Sequence, residues 1–231
     1  MTWVIGHRGC AYEPENTIRA INRAIELGVD AVEIDVHFSK DNELVVIHDE
    51  RLDRTTNGKG MVKDFTLEEL RRLDAGKGEK IPTLQEVIDT CRGKVQLLIE
   101  LKALGSEGEI LKKVEDNRFK DDVYIISFWH QMIKQTKELD KGIKTGILFV
   151  GHPVNPPHLA KDAQANALVM NYKFISKDLV RDAHKNNLKV FVWNVDTQYE
   201  TKEMLNLGVD GIASNKPDIV LNCINNQTHR T

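Results

Sequence analysis

Short apolar runs rich in β-branched residues alternate with amphipathic stretches along the whole chain, and this alternation constrains the fold more than any other property of the sequence. Each pair of segments reads as a βα unit, and such units in series build a parallel sheet. Strands are predicted at Trp3 to Gly6, Ala31 to His37, Leu44 to His48, Val95 to Leu101, Val123 to Ser127, Thr145 to Val150, Ala167 to Asn171, Val190 to Val195 and Gly211 to Ser214. Helical periodicity fills the intervals at Asn16 to Leu27, Thr66 to Asp74, Leu84 to Cys91, Glu107 to Asn117, Gln131 to Asp140, Pro156 to Ala163, Ser176 to Asn186 and Thr197 to Leu207. Gly28 and Gly208 fall just past two of these helices, where a left-handed glycine is expected.

One strand does not fit the series. About six residues separate His37 from Leu44, too few for a parallel crossover, so Leu44 to His48 must return antiparallel. A two-residue turn at Asp41-Asn42 would set Lys40 opposite Glu43 and Asp35 opposite His48. Setting this arm aside leaves eight strands, each but the last followed by a helix, which is the count of a (β/α)8 TIM barrel. The segment at about 49–82, with its polar turn Asn57-Gly58-Lys59-Gly60, then reads as an insertion after the second barrel strand. No linker or break in composition divides the 231 residues, so the expectation is one domain over 1–231.

Composition narrows the partners. Lys and Arg number 32 against 35 Asp and Glu, with neither sign gathered into a block, so charge supports neither nucleic acid nor an anionic membrane. No apolar run approaches the ~20 residues of a membrane span, and no stable membrane association is expected. Cys10, Cys91 and Cys223 lack the spacing of a disulfide framework or a zinc site, and the first residues lack a signal peptide's apolar region. A cytoplasmic protein is the expectation.

A barrel of this kind builds its site at the C-terminal ends of its strands. His7 and Arg8 end the first, Glu33 and Asp35 lie near the end of the second, His48 ends the arm, and Glu100 and Lys102 end the third. Glu33 and Asp35 are spaced i, i+2 and leave the strand on one face, which Glu100 approaches from the neighbouring strand. Three converging carboxylates repel unless a cation joins them, and oxygen-only ligation favours a hard divalent ion, Mg²⁺ or Ca²⁺, over zinc. His7 and His48 would supply groups titrating near neutrality, Arg8 and Lys102 fixed positive charge. The set suits general acid-base chemistry on a phosphate ester.

His7-Arg8-Gly9, Pro14-Glu15-Asn16-Thr17, Glu33-Ile34-Asp35-Val36 and Val46-Ile47-His48-Asp49 closely resemble, in order and spacing, the signature of the glycerophosphodiester phosphodiesterases. The likeness continues through Leu52 to Gly58, Ile81-Pro82-Thr83-Leu84, Glu100-Leu101-Lys102, Ser127-Phe128, Trp193 and Gly208-Val209-Asp210-Gly211. The resemblance implies a TIM-barrel hydrolase that cleaves glycerophosphodiesters to glycerol 3-phosphate and an alcohol with Mg²⁺ or Ca²⁺, in glycerol and lipid metabolism. Carried over by position, His7 and His48 match the acid-base pair, Glu33, Asp35 and Glu100 the metal ligands, and Arg8 and Lys102 the phosphate-facing cations. Either histidine fits either role, and the attacking group is either water or the glycerol's own 2-hydroxyl.

Two positions depart from the family's pattern. Asn215 stands where Asp is common in a Thr-Asp-x-Pro stretch, and Trp193-Asn194-Val195-Asp196 replaces Trp-Thr-Val-Asn. Both fall late in the barrel, where contacts to the substrate's head group are the expectation. Phe128 and Trp193 read equally as core or as walls of a glycerol pocket.

Blander readings stand beside these. A lone histidine such as His7 is more often backbone-bonded than catalytic, and Glu100 could simply pair with Lys102. His130, His152, His158, His184 and His229 lack spacing partners and default to surface or helix positions. Two other functions keep the barrel: cleavage of lysophospholipids or sphingolipids, which an exposed apolar rim around the site would favour, and binding of phosphate esters without chemistry. Retention of both histidines argues against the last.

Overall fold

The computed structural model describes residues 2–228, with side chains to residue 226; His229 lies outside the described residues. Nine strands form in chain order: β1 (Trp3–His7), β2 (Ala31–Phe38), β3 (Leu44–Val46), β4 (Gln96–Leu101), β5 (Val123–Ser127), β6 (Lys144–Phe149), β7 (Ala167–Asn171), β8 (Lys189–Trp193) and β9 (Gly211–Ser214). All but β3 are parallel, and the pairings of β1 with both β2 and β9 close them into an eight-stranded barrel. Helices α1 (Ile18–Leu27), α2 (Leu67–Leu70), α3 (Leu84–Cys91), α4 (Glu107–Asp116), α5 (His130–Leu139), α6 (Pro156–Asp162), α7 (Lys177–Lys185), α8 (Gln198–Leu207) and α9 (Pro217–Thr228) complete the fold. Among the described residues, no helix is long and apolar enough to cross a membrane.

Alternation along the strands divides the interior into two cores. Val4, Val32, Ile34, Leu97, Ile99, Ile125 and Val190 face outward into the layer beneath the helices. Ile5, Ala31, Leu98, Tyr124, Ile126, Leu148, Val169, Phe191 and Ala213 face inward and fill the barrel. At the barrel's N-terminal end Trp3 stacks on Phe191, with ring centroids 5.8 Å apart, and Tyr124 meets both rings edge-on. These rings form a floor. The same inward parity, carried to the opposite end of the strands, predicts which side chains line the mouth.

Two sequence expectations need correction. A helix, α9, follows β9: Pro217 opens it at the position where a missing N–H costs nothing, and it packs on β1, β9 and α8. The second is the hairpin register. β3 does run antiparallel to β2, but Val36 pairs with Val46 and Phe38 with Leu44, so Asp35 is opposite Ile47 and not His48. The loop holds three residues, with Asn42 in the left-handed region at φ 61°. Ser39 anchors it, its Oγ donating to Asp41 Oδ1 and accepting from the Glu43 N–H.

Beyond β3 the inserted segment packs a small core of its own from Val45, Ile47, Leu52, Val62, Leu70, Ala75 and Ile81. Capping boxes at Thr66 with Glu69 and Thr83 with Glu86 fix the starts of α2 and α3, each cap contributing about 1 kcal/mol. His48 lies two residues past β3, next to Ile47 of this small core.

Candidate active site

The turn that ends β1 is built around two glycines. A Cβ on Gly6 would lie 2.2 Å from the Gly9 carbonyl oxygen, and one on Gly9 would lie 2.6 Å from the Ala20 backbone. Within this turn Arg8 is left-handed, at φ 51°, which aims its N–H at Glu33 Oε2, 3.1 Å away. Its side chain folds back over β2: Nε lies 3.3 Å from Asp35 Oδ2 and the guanidinium donates to Glu15 Oε1 at 2.9 Å. Asn16, also left-handed, donates from Nδ2 to Asp35 Oδ2 at 2.8 Å.

Glu33, Asp35 and Glu100 are all buried, and one carboxylate oxygen of each lies within 4.8 Å of the others. Lys102 Nζ sits 2.7 Å from Glu100 and 3.2 Å from Asp35, so the pairing of Glu100 with Lys102 exists as part of a larger cluster. Electrostatics sort the three acids. Burial, then Asp35 and Glu100, pushes Glu33 well above the usual carboxylate range. Burial, then Asp35, raises Glu100 to about 7 against the pull of Lys102. Asp35 goes the other way: burial opposes its charge, but Lys102 and Arg8 outweigh it and hold the carboxyl low. Asp35 Oδ1 has the Lys102 ammonium 3.2 Å away. An oxygen-only set of buried, mutually repelling carboxylates fits a hard divalent cation.

That arrangement makes cation binding compete with protons. A carboxyl raised to about 7 is largely protonated at pH 6 without the ion, and the ion must displace that proton. Affinity for Mg²⁺ or Ca²⁺ is therefore expected to rise by about tenfold per pH unit as pH climbs toward 7, with proton release visible by titration calorimetry in buffers of different ionisation enthalpy. Affinity independent of pH across this range would contradict it.

Both histidines reach the cavity. His7 Nε2 lies 3.9 Å from Glu33 Oε2. Two amides meet its Nδ1, Asn215 Oδ1 at 2.8 Å and Asn194 Nδ2 at 2.9 Å, so both departures from the family's pattern contact the histidine. Burial, then the charge of Arg8, lowers the His7 pKa to about 4. His48 Nδ1 lies 2.6 Å from Asp49 Oδ1. Arg54 grips Asp49 and Glu15 together, and its hydrogen bonds with His48's own hold the Asp49 carboxyl well below its ordinary range. A chain of ion pairs thus runs from Arg8 through Glu15, Arg54 and Asp49 to His48. Glu15, Asn16, Asp49 and Arg54 fall within or beside the quoted motifs but carried no assigned role; their signal was adjacency to the histidines and the αL-tolerant Asn16.

Every strand-borne member of the site keeps the inward parity of the barrel core. His7 extends Ile5, Glu33 and Asp35 extend Ala31, Glu100 and Lys102 extend Leu98, Phe128 extends Ile126, and Trp193 extends Phe191. His7, Glu33, Glu100, Lys102, Phe128 and Trp193 line a cavity of about 200 Å³ with Arg8 and His48, and Asp35 lies buried behind them. Phe128 and Trp193 meet edge-to-face across it, 5.8 Å between centroids, and the buried Trp193 Nε1–H has no partner.

Fold and site define a TIM-barrel enzyme whose charged groups gather at one mouth around a place for a divalent cation. The family model described as the glycerophosphoryl diester phosphodiesterase family matches residues 7–219. The chain is 42% identical to the glycerophosphodiester phosphodiesterase of Caldanaerobacter subterraneus subsp. tengcongensis, over 96% of this chain and 98% of that one. It is 35% identical to that of Bacillus altitudinis, over 94% and 96%. The solved structure of an Oleispira antarctica phosphodiesterase in complex with the product sn-glycerol-3-phosphate superposes with a TM-score of 0.91 at 28% identity, covering 97% of each chain. This chain belongs to the glycerophosphoryl diester phosphodiesterase family.

Proposed function

We propose that the protein hydrolyses glycerophosphodiesters to glycerol 3-phosphate and an alcohol, with Glu33, Asp35 and Glu100 holding Mg²⁺ or Ca²⁺. The observation that carries this reading is a cluster of three buried carboxylates beside a cavity that two half-buried cations and two histidines also line. When bound, the divalent ion neutralises charge developing on the phosphoryl oxygens. Arg8 and Lys102, already fixed by Asp35, present their remaining N–H groups to the same anion. His7, backed by neutral amides and kept uncharged, takes the proton of the attacking hydroxyl at Nε2. His48, backed by the Asp49 carboxylate, gives a proton to the leaving alkoxide. Phe128 and Trp193 wall the cavity on the glycerol side.

The test is release of glycerol 3-phosphate from glycerophosphocholine by the purified protein with Mg²⁺ or Ca²⁺, followed through glycerol 3-phosphate dehydrogenase, with EDTA as control. Metal-dependent release is expected. Silence across a panel of glycerophosphodiesters would overturn the reading.

A second reading has its own support. Leu104, Phe128, Trp129, Val150, Val154 and Phe174 are exposed on the four successive loops after β4, β5, β6 and β7. Residues 102–106, 128–131, 150–158 and 172–177 contain no acidic side chain, while Lys173 and Lys177 add positive charge. Such a rim suits a glycerophosphodiester that carries one acyl chain and sits in an anionic lipid surface. Trp129→Ser with Val154→Ser is expected to cut turnover of micellar lysophospholipid roughly tenfold while sparing glycerophosphocholine. Equal effects on both substrates, or no lysophospholipid turnover by the parent, would remove this reading.

A further inference from the structure

We propose that Asp196 decides which nitrogen of His7 carries the proton, acting through the side chain of Asn215. The inference rests on the role of His7 given above, but the hydrogen bonds that carry it stand independently of any substrate.

Asp196 accepts three hydrogen bonds. Its Oδ1 accepts from Ser214 Oγ at 2.9 Å and from the Asn215 N–H at 2.8 Å, and its Oδ2 accepts from Asn215 Nδ2 at 2.7 Å. An amide whose Nδ2 is committed to a carboxylate has only one orientation left, so Asn215 must turn Oδ1 to its other neighbour. That neighbour is His7 Nδ1, at 2.8 Å. A carbonyl oxygen accepts only, and the ring must answer with Nδ1–H. The lone pair then falls on Nε2, the nitrogen that faces Glu33 and the cavity. Asn194 reaches the same Nδ1 at 2.9 Å but has no anchor, and its own Oδ1 is buried without a partner. The anchored amide therefore rules, and Asn194, placed with Nδ2 toward the ring, must turn its amide over to share the same hydrogen. Asp196 touches neither cavity nor ring; it is a positioning residue.

The geometry allows an isosteric exchange of charge and amide. In Asp196→Asn, an amide at 196 that keeps Oδ1 on Ser214 and the Asn215 N–H meets Asn215 with N–H against N–H. Reversing the new amide sacrifices two hydrogen bonds, whereas reversing Asn215 sacrifices none between the two side chains. Asn215 is thus expected to flip and offer Nδ2–H to His7, moving the ring proton to Nε2 and removing the acceptor from the cavity. Adding Asn215→Asp restores an acceptor-only group against Nδ1, now held by the new amide at 196.

With glycerophosphocholine as substrate and saturating Mg²⁺, D196N is expected to lose on the order of 10- to 100-fold in kcat with KM changed less than about threefold. D196N/N215D should recover kcat to within about threefold of the parent. Long-range ¹H–¹⁵N correlation spectra of ¹⁵N-histidine protein, with His7 assigned through His7→Gln, give the second readout. The parent and the double variant should show Nδ1–H, and D196N should show Nε2–H. D196N with parental kcat, or with Nδ1–H retained, overturns the proposal. So does a folded double variant that stays as slow as D196N. A parent inactive on every glycerophosphodiester would sink the functional reading, while the tautomer spectra would still decide this one.

Discussion

Asp35→Asn is expected to lower kcat by on the order of 10³-fold or more and to erase the rise in melting temperature that Mg²⁺ or Ca²⁺ confers on the parent. Asp35 is 1% exposed and joins Arg8, Lys102 and Asn16 to the carboxylate cluster, so one neutralised oxygen affects the cation and both fixed charges together. Without added ion, the melting temperature should shift by only a few degrees. Burial and then Asp35's charge raise Glu33 and Glu100, so losing that charge eases both acids, and Glu100 keeps Lys102 2.7 Å away as its partner. The decisive comparison is differential scanning fluorimetry with and without 5- to 10-fold steps of ion. An undiminished ion-dependent shift in the variant would show that the cation binds elsewhere.

His7→Ala and His48→Ala are each expected to cost about 10²- to 10⁴-fold in kcat on an ordinary alkyl diester. A p-nitrophenyl diester separates them, since its leaving group departs without a proton. If His48 is the acid, that substrate restores most of the rate to His48→Ala and little to His7→Ala. The physical basis is the pair of supports. His48 Nδ1 has a carboxylate oxygen 2.6 Å away to back it, whereas burial and then the adjacent Arg8 lower the His7 pKa to about 4 and keep that ring neutral. Rescue of the opposite variant would exchange the two roles. Each variant should retain its ion-dependent thermal shift, because neither removes a carboxylate from the cluster.

Much of the barrel was legible because buried parallel strands write themselves as unbroken apolar runs, and Glu33, Asp35, Glu100 and Lys102 stood out as charges inside such runs. The register of β3 was not legible, for a definite reason. Leu44, Val45 and Val46 are all buried, so no polar alternation marks one face, and a slip of one residue offends nothing local. The side-chain anchor at Ser39 chose the three-residue loop, and sequence spacing does not reveal such an anchor. The supports of His7 were hidden in another way. Asn194, Asp196 and Asn215 are about 190–210 positions away along the chain, and barrel closure between β9 and β1 brings them together. The departures at 194 and 215 were visible as letters, but only the fold shows that they face the ring. Helix α9 was missed although Pro217 supplied a usable start signal.

The stacked rings of Trp3, Phe191 and Tyr124 floor the barrel at one end, and the cavity lies toward the other, beside Phe128 and Trp193. On the proposed function, the intact diester would enter past Phe128 and Trp193, and both fragments would leave by the same mouth. The alcohol, free of charge on its cleaved end, would depart first, and the phosphate-bearing fragment, facing Arg8 and Lys102, would leave last and delay the next molecule. Accumulated product is then expected to slow the turnover that made it.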